Sequence, residues 1–263
     1  MSGTFLDKIV AKTRERVASV KCETGLAAIK LRAEEIRKIA EPHKFRTAIE
    51  QTDRTNIIAE IKRASPSKGV INADIDVAEV ATAYESGGAA AISVLTETEF
   101  FGGSLIDLVL VSQTVRIPIL RKDFMVDEYQ IYEAAAFGSD AILLIVAALK
   151  QDELIRFLWL AQDDLGMDAL VEVHTSDDLE IAISIGANII GVNNRDLQSL
   201  EVSLDVSRRL IDQRPANALM IAESGISTRD EINELKGLGY NGFLIGESLM
   251  RTENARETLG GWV

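Results

Sequence analysis

Residues 118–146 read PILRKDFMVDEYQIYEAAAFGSDAILLIV, and this stretch decides the fold. Two short apolar runs, Pro118–Lys122 and Ala141–Val146, flank an amphipathic segment, Asp127–Phe137, which is followed by Gly138. The runs are apolar on both faces, which is typical of parallel strands covered by helices. The order of strand, helix and strand predicts two parallel strands joined by a crossover helix.

The same alternation continues on both sides of this unit. Amphipathic segments that end in glycine or other turn residues lie between further apolar runs. The six other strands are predicted at Ile57–Lys62, Ala90–Leu95, Ala169–Val173, Ile189–Asn193, Leu219–Glu223 and Gly242–Gly246. Eight such units in about 200 residues indicate an α/β protein that closes into a (β/α)8 TIM barrel. An open, doubly wound sheet is the alternative, and eight regular repeats disfavour it.

The first 50 residues have a helical pattern of their own. Apolar residues recur at helical spacing from Phe5 and again from Leu26 to Ala40, and Pro42 stops the second series. No linker rich in glycine, serine or proline follows. We therefore expect residues 1–50 to form an N-terminal helical extension packed on the barrel of residues 51–263, within one structural domain.

Composition and charge restrict the class of protein. The 263 residues include 28 Lys and Arg against 41 Asp and Glu, a net charge of −13 at pH 7. This balance disfavours nucleic acid and anionic membranes as partners, because both attract basic faces. The longest uncharged apolar stretch, 141–149, is too short to span a bilayer. A single cysteine, Cys22, and the lack of a signal-peptide pattern predict a cytoplasmic protein.

Polar side chains lie at the carboxyl ends of five predicted strands. Because alternate residues of a strand share a face, one register directs all of them toward the mouth of the barrel. These residues are Glu60, Lys62, Lys122, Glu172, Asn193 and Glu223. Barrel interiors are normally filled with branched apolar side chains, and burying an unpaired charge is costly. Converging opposite charges therefore predict a site for a polar ligand with acid–base chemistry.

Small residues follow the seventh and eighth predicted strands. The segments Glu223–Thr228 and Ile245–Met250 each lead from a strand into a helix. Such loops let backbone N–H groups approach an anion, and the dipole of the following helix favours negative charge. Loops seven and eight are the usual phosphate site of this fold, so we expect a phosphorylated small molecule. Ordinary turn and helix-cap chemistry is the alternative.

Motifs for other chemistries fail their structural context. Gly237–Gly242 matches G-x-G-x-x-G, but it leads into a strand instead of following one, which disfavours dinucleotide binding. The two histidines, His43 and His174, show no metal-ligand spacing and there is no paired-cysteine motif, so a zinc site is not expected.

Nine segments match one known family in order and spacing. The most specific is Ile57–Gly69, which reads IIAEIKRASPSKG. The others are Ser93–Glu97, Phe100–Ser104, Leu120–Phe124, Leu143–Val146, Val171–Val173, Gly191–Leu197, Ala222–Ser227 and Gly246–Met250. Over nearly the whole chain they resemble the indole-3-glycerol phosphate synthase family of tryptophan biosynthesis. Glu99 departs from the pattern, since relatives often carry a basic residue or proline there.

The resemblance implies conversion of 1-(2-carboxyphenylamino)-1-deoxyribulose 5-phosphate to indole-3-glycerol phosphate, with loss of CO2 and water and without cofactor or metal. It implies that Lys122 is the general acid for ring closure and Glu172 the general base. Lys62 would be a second acid or an anchor for the substrate carboxylate. Glu60 would hold and tune Lys62. Asn193 and Glu223 would form hydrogen bonds with the substrate hydroxyls.

The resemblance also implies three sets of substrate contacts. Arg195 would help to hold the carboxylate or a loop. The phosphate would be bound by Ser65, Ser224, Gly225, Gly246 and the backbone N–H of Glu247. The aromatic ring would lie among Phe101, Phe124, Leu143, Leu197 and Leu244, although plain core packing is an alternative for these apolar side chains.

Acid catalysis by lysine depends on its pKa. The ordinary lysine pKa is about 10.4, whereas a general acid near neutrality works best at about 7–8, a difference worth about 4 kcal/mol. Burial beside Phe124 and a second lysine lower the pKa, while Glu60 and Glu172 raise it. The sequence leaves this balance open, together with the choice of lysine for the dehydration step.

Two other functions stay open on the sequence alone. Another phosphate-binding barrel enzyme, such as a sugar-phosphate isomerase, would share the anion site. A non-catalytic regulatory subunit would bind the phosphorylated ligand without turnover. For the assembly we expect a monomer or a weak homodimer.

Overall fold

The computed structural model describes residues 4–66 and 69–263, and its centre is a closed barrel of eight parallel strands. The barrel strands are β1 (Asn56–Ile61), β4 (Ala91–Leu95), β5 (Ile119–Lys122), β6 (Ala141–Ile145), β7 (Asp168–Val173), β8 (Ile189–Asn193), β9 (Leu219–Glu223) and β10 (Gly242–Ile245). Strand β1 pairs with both β4 and β10, which closes the barrel. The two-residue strands β2 (Ala64–Ser65) and β3 (Gly69–Val70) form an antiparallel pair after β1. The predicted (β/α)8 barrel is confirmed, and the open sheet is excluded.

Helices join the strands and cover the outside of the barrel. They are α1 (Phe5–Glu23), α2 (Leu26–Arg37), α3 (Lys44–Ile49), α4 (Val77–Ser86), α5 (Leu105–Thr114), α6 (Glu128–Ala136), α7 (Gln151–Trp159), α8 (Ser176–Ser184), α9 (Asp205–Leu210), α10 (Arg229–Leu238), α11 (Glu247–Arg251) and α12 (Ala255–Gly260). A π-helical turn, Leu160–Asp164, extends α7. Asp76, Ser104 and Thr175 cap the helices that follow them by accepting first-turn N–H groups. None of these helices is long and apolar enough to cross a bilayer.

Alternation along each strand divides the core into two layers. Inward residues such as Ile58, Leu120 and Leu170 fill the barrel interior. Outward residues such as Val94 and Val171 pack under the helices. The register that directs Glu60, Lys122 and Glu172 inward follows from the same alternation, because each lies two positions beyond an inward apolar residue.

The N-terminal extension contacts both ends of the barrel. Leu6 and Ile9 of α1 join the inner core at the carboxyl ends of the strands, while Phe45 and Ile49 of α3 close the opposite end. The backbone N–H of Arg46 donates to Asp168, the first residue of β7, which fixes α3 there. A helical extension is therefore present, and the division of the chain at residue 50 stays a prediction.

Helix α2 ends earlier than its apolar pattern predicts. It stops at Arg37 and not at Pro42. Ile29 and Ala33 are buried, but Ile36 lies at the surface and Ile39 beyond the helix is 89% exposed. The guanidinium of Arg37 donates to the carbonyls of Leu165 and Gly166, which fixes the helix end before the apolar series finishes.

A buried ionic cluster lies on the outward side of β5. Arg121 is fully buried, and its Nη2 is 3.0 Å from Asp123 Oδ2 and 2.8 Å from Glu133 Oε2. Arg16 of α1 also contacts the Asp123 carboxylate at 2.9 Å, and Thr96 donates to it at 2.8 Å. The cluster ties α1 and α6 to the strand that carries Lys122.

Arg121→Met is expected to lower the free energy of unfolding by about 3–5 kcal/mol, because it leaves the buried Glu133 carboxylate without its ion-pair partner and leaves Asp123 with Arg16 alone. Urea denaturation followed by circular dichroism measures this. Arg208→Met is the matched control: Arg208 also pairs with two carboxylates, Asp205 and Glu234, but at the exposed surface, where little change is expected. Equal losses from the two variants would contradict the structural role of the buried cluster.

Candidate active site

A cavity of about 710 Å³ opens at the carboxyl ends of the barrel strands. Every residue that the sequence proposed for catalysis or substrate binding lines it. The polar members are Glu60, Lys62, Lys122, Glu172, Asn193, Arg195 and Glu223. The members of the two glycine loops and β2 are Ser65, Ser224, Gly225, Gly246 and Glu247. The apolar members are Phe101, Phe124, Leu143, Leu197 and Leu244.

Lys122 stands at the centre of the polar floor, between two carboxylates. Its Nζ lies 3.0 Å from Glu172 Oε2 and 2.5 Å from Glu223 Oε2. The Asn193 amide donates to the other oxygen of Glu172 at 3.0 Å. Asn193 and Glu223 are register partners on adjacent strands, which brings their side chains to the same depth. An ammonium group, two carboxylates and an amide are thus fixed together in one network.

A second ammonium group enters from β1. Lys62 Nζ lies 2.6 Å from Glu60 Oε1, and Ser93 donates to the other oxygen of Glu60 at 3.5 Å. Arg195 lies on the far side, where its backbone N–H donates to the Asn193 side-chain oxygen and its Nη1 donates to the Leu200 carbonyl. Two lysines with separate carboxylate partners therefore face one cavity.

The structure decides the balance of effects on the Lys122 pKa. Burial alone would lower it, but the negative charges of Glu223, Glu172 and Glu60 outweigh burial and raise the pKa above its ordinary value. The pKa of Glu60 is lowered: burial would raise it, but the charges of Lys62 and Lys122 prevail. In the ligand-free protein, Lys122 is consequently a fully protonated ammonium group.

Glu223 is a buried carboxyl group with a raised pKa and one oxygen that lacks a hydrogen-bond donor in the part of the chain that the structure describes. Burial raises its pKa to about 7, and the Glu172 charge adds to this although Lys122 opposes it. Its Oε1 has no hydrogen-bond partner among the described residues. This oxygen occupies the space beside Gly191, where a Cβ would lie only 1.9 Å from it. Glu223 therefore lines the cavity with one oxygen bound to Lys122 and the other buried beside Gly191 without a donor from the described chain.

The raised pKa of Glu223 predicts a pH-dependent stability. The native state holds this proton up to about pH 7, whereas the unfolded chain releases it near the ordinary value of 4.5. The contribution of Glu223 to the free energy of unfolding is therefore fully present below pH 4.5 and is lost as the pH rises through 7. Relative to Glu223→Gln, the wild-type protein should lose about 2–3 kcal/mol between pH 5 and pH 8. Urea titrations at both pH values measure it, Glu180→Gln at the surface is the control, and parallel pH profiles for wild type and Glu223→Gln would contradict it.

The two glycine loops lie side by side at the rim. Ser224 and Gly225 both have positive φ angles, 65° and 78°, an arrangement that turns successive N–H groups to one side. The Ser248 hydroxyl donates to the Ile226 carbonyl at 3.2 Å and joins the second loop to the first. The Ser65 hydroxyl is buried and has no partner among residues 4–66 and 69–263. These groups could together hold an anion such as a phosphate.

An apolar wall faces the anion site and includes side chains that the sequence did not predict. The rings of Phe101 and Phe124 lie 6.3 Å apart. Helix α1 adds Phe5, Leu6 and Ile9 to the cavity lining. The helical spacing of these three residues predicted that this face of α1 is buried. It did not indicate that the face borders a ligand cavity.

Two further residues define the polar boundary. Arg251, one helical turn after Glu247, also lines the cavity, and its Nε lies 3.4 Å from the Glu247 carboxylate. His174 shares a face with Glu172 by alternation, but the chain turns after β7, so its ring contacts the Asn193 carbonyl and it is not part of the lining. Arg251 ends α11, where a basic residue is an ordinary helix-end feature, so nothing in the sequence indicated its place in the cavity.

Comparison with known proteins gives one consistent result. The family model for indole-3-glycerol phosphate synthase matches residues 6–260. Indole-3-glycerol phosphate synthase of Koribacter versatilis is 47% identical over 261 residues, with 98% of each chain covered. The enzyme of the same name from Lachnoclostridium phytofermentans is 45% identical over 261 residues, with 96% of each chain covered.

One solved structure adds support for the fold alone. Thiamine phosphate pyrophosphorylase from Pyrococcus furiosus superposes with a TM-score of 0.59 at 16% identity, and the match covers 79% of this chain and 93% of that one. The match along residues 6–260, the close relatives and the cavity that gathers every predicted polar residue agree. The chain therefore belongs to the indole-3-glycerol phosphate synthase family of carbon–carbon lyases.

Proposed function

We propose that the cavity closes the indole ring of 1-(2-carboxyphenylamino)-1-deoxyribulose 5-phosphate by acid–base catalysis with Lys122, Glu172 and Lys62. The observation that carries the proposal is the Lys122 ammonium group, held 3.0 Å from Glu172 between an apolar wall and an anion-binding rim. The phosphate fits the rim, the benzoate ring fits the wall, and the keto sugar chain would then cross the polar floor.

Lys122 acts first, as the general acid. The aromatic carbon that bears the carboxylate bonds to the ketone carbon, and the ketone oxygen takes a proton from Lys122 and becomes a hydroxyl. The carboxylate leaves as CO2, and the electron pair of the broken bond restores the aromatic ring. A raised lysine pKa is compatible with this role, because a developing alkoxide is a stronger base than lysine.

Glu172 and Lys62 serve the dehydration. The hydroxyl departs as water with a proton from Lys62, since Lys122 has already released its own. Glu172 takes the proton that C1 loses, and the double bond of the indole forms. Glu172 can return that proton to Lys122 across 3.0 Å, while Lys62 is replenished from solvent. Glu60 holds Lys62, and Asn193 and Glu223 bind substrate hydroxyls.

The remaining residues bind the two ends of the substrate. The phosphate is held by Ser65, Ser224, Gly225, Gly246 and the backbone N–H of Glu247. The ring lies among Phe101, Phe124, Leu143, Leu197 and Leu244, and Arg195 holds the carboxylate or its loop. The orphaned hydroxyl of Ser65 and the turned N–H groups after β9 support the first assignment.

A direct assay tests the reaction. The purified protein is mixed with the substrate, and indole fluorescence and released CO2 are followed together. Equal rates of indole and CO2 formation are expected. An isomerised sugar phosphate without CO2 would identify a sugar-phosphate isomerase, and binding without any product would identify a regulatory subunit.

We also propose that the protein acts in the cytoplasm as a monomer or weak homodimer without nucleic acid or membrane partners. Its net charge of −13 and its lone, exposed cysteine support this. Sedimentation at micromolar concentration should give a mass of one chain, or a concentration-dependent value between one and two. A fixed larger assembly would contradict the proposal.

A further inference from the structure

The loop after β4, residues 96–104, contains a buried carboxylate that the proposed reaction does not use. Glu97 is 3% exposed. Its Oε1 accepts the backbone N–H of Glu99 at 3.0 Å, and its Oε2 accepts those of Phe100 at 2.7 Å and Phe101 at 3.1 Å. A buried carboxylate is costly unless donors satisfy it, and three N–H groups do so here. The carboxylate thus fixes the turn by direct bonds.

This turn presents two aromatic rings to neighbouring parts of the site. Phe101 lines the cavity and packs against Phe124. Phe100 makes an edge-to-face contact with Phe5 of α1, with 5.4 Å between ring centroids. The Phe101 carbonyl also accepts the backbone N–H of Ala64, next to Ser65 at the rim. One turn therefore supports the apolar wall, the N-terminal helix and β2.

The geometry of the loop leaves it little freedom to find another conformation. The Gly103 N–H donates to the Glu97 carbonyl at 2.8 Å, which folds the loop back on the end of β4. A Cβ on Gly103 would lie 2.2 Å from the Leu95 carbonyl oxygen. Only glycine therefore lets the returning chain pass this close to the backbone at the end of β4. Within this return path, the Glu97 carboxylate binds the backbone N–H groups of the two residues that carry the rings, Phe100 and Phe101.

We propose that Glu97 is a positioning residue whose carboxylate orients Phe100 and Phe101, so that the apolar wall is preformed for the substrate's ring. The inference rests on the proposed function in one respect, which is that this wall receives the ring. Loss of the carboxylate should weaken ring binding far more than it slows the chemical steps, because Lys122 and Glu172 stand on other strands.

Kinetics of Glu97 variants test the proposal. Glu97→Ala should raise KM about 10- to 100-fold and change kcat less than about threefold. Glu97→Gln should recover most of the loss, with KM about three- to tenfold above wild type, because its carbonyl oxygen can still accept the N–H groups of Phe100 and Phe101 while its NH2 group cannot accept that of Glu99. Glu99→Ala is the matched control: its side chain is exposed on the same loop, only its backbone N–H is used, and its KM should equal that of wild type.

Equilibrium binding of 2-aminobenzoate, followed by its own fluorescence, gives a readout that does not need turnover. Its Kd should weaken in Glu97→Ala by a factor similar to KM, and circular dichroism verifies that the variant is folded. An unchanged Kd and KM in folded Glu97→Ala would overturn the proposal, as would a lower kcat with unchanged KM. If the alanine variant fails to fold, Glu97→Gln decides: a threefold or larger rise in Kd supports the role, and a smaller rise overturns it. Absence of wild-type turnover would contradict the proposed reaction and leave the binding test of Glu97 in place.

Discussion

Lys122→Met is expected to lower kcat at least about 10³-fold, because no other ammonium group stands between Glu172 and Glu223 among the described residues. Methionine keeps an unbranched side chain, one atom shorter than lysine, and removes the ammonium charge together with its N–H donors. Without that charge, Glu223 should remain protonated well above pH 7, which limits the cost of the empty ionic site. Product formation followed by indole fluorescence measures the loss.

The control for this prediction is Lys12→Met, which removes an exposed lysine that pairs with the neighbouring Glu15. It should retain full activity. Glu172→Gln should match Lys122→Met in its loss of turnover, because the amide can no longer accept a proton. Substantial turnover by a folded Lys122→Met enzyme would contradict the acid role, whatever the state of the other residues.

Gly191→Ala is expected to lower kcat about 10²-fold and stability by about 1–3 kcal/mol. A methyl group there would lie 1.9 Å from Glu223 Oε1 and 3.1 Å from a Leu170 methyl group, so the Glu223 carboxylate must leave the position from which it contacts Lys122. Steady-state kinetics and urea denaturation measure the two effects. The prediction tests whether the place of Glu223, and not only its charge, matters.

Gly237→Ala is the matched control for the glycine. Gly237 lies in α10 with open space around its Cα, so alanine should keep full activity and add up to about 1 kcal/mol of helix stability. A second variant, Gly191→Ala with Glu223→Asp, shortens the displaced side chain and should recover part of the lost stability. Wild-type kcat in Gly191→Ala would show that the carboxylate tolerates another position.

The sequence predicted the barrel and its inward polar residues because both depend on local periodicity. The strands Ile189–Asn193 and Leu219–Glu223 have the predicted bounds, and the alternation within them directs Asn193 and Glu223 inward. Once the barrel closes, residues far apart in sequence meet without any further information.

What the sequence could not predict depends on distances between elements. The pKa of Lys122 is raised by carboxylates on β7 and β9. The periodicity of the sequence does not specify how closely these carboxylates approach the lysine. Apolar residues of α1 such as Phe5 predict only a buried helix face, and not that this face borders the cavity. Glu97 looks like an ordinary loop acid until its three backbone donors are seen.

The end of strand β5 and the residue after it join catalysis and folding in three consecutive positions, 121 to 123. Arg121 and Asp123 point outward into the buried ionic cluster, and Lys122 between them points into the cavity. An insertion or deletion of a single residue here would exchange the two sides and destroy both networks together. Natural variation and laboratory evolution of this enzyme should therefore spare β5 and find their new specificities in the apolar wall and the rim loops, where side chains can change one at a time.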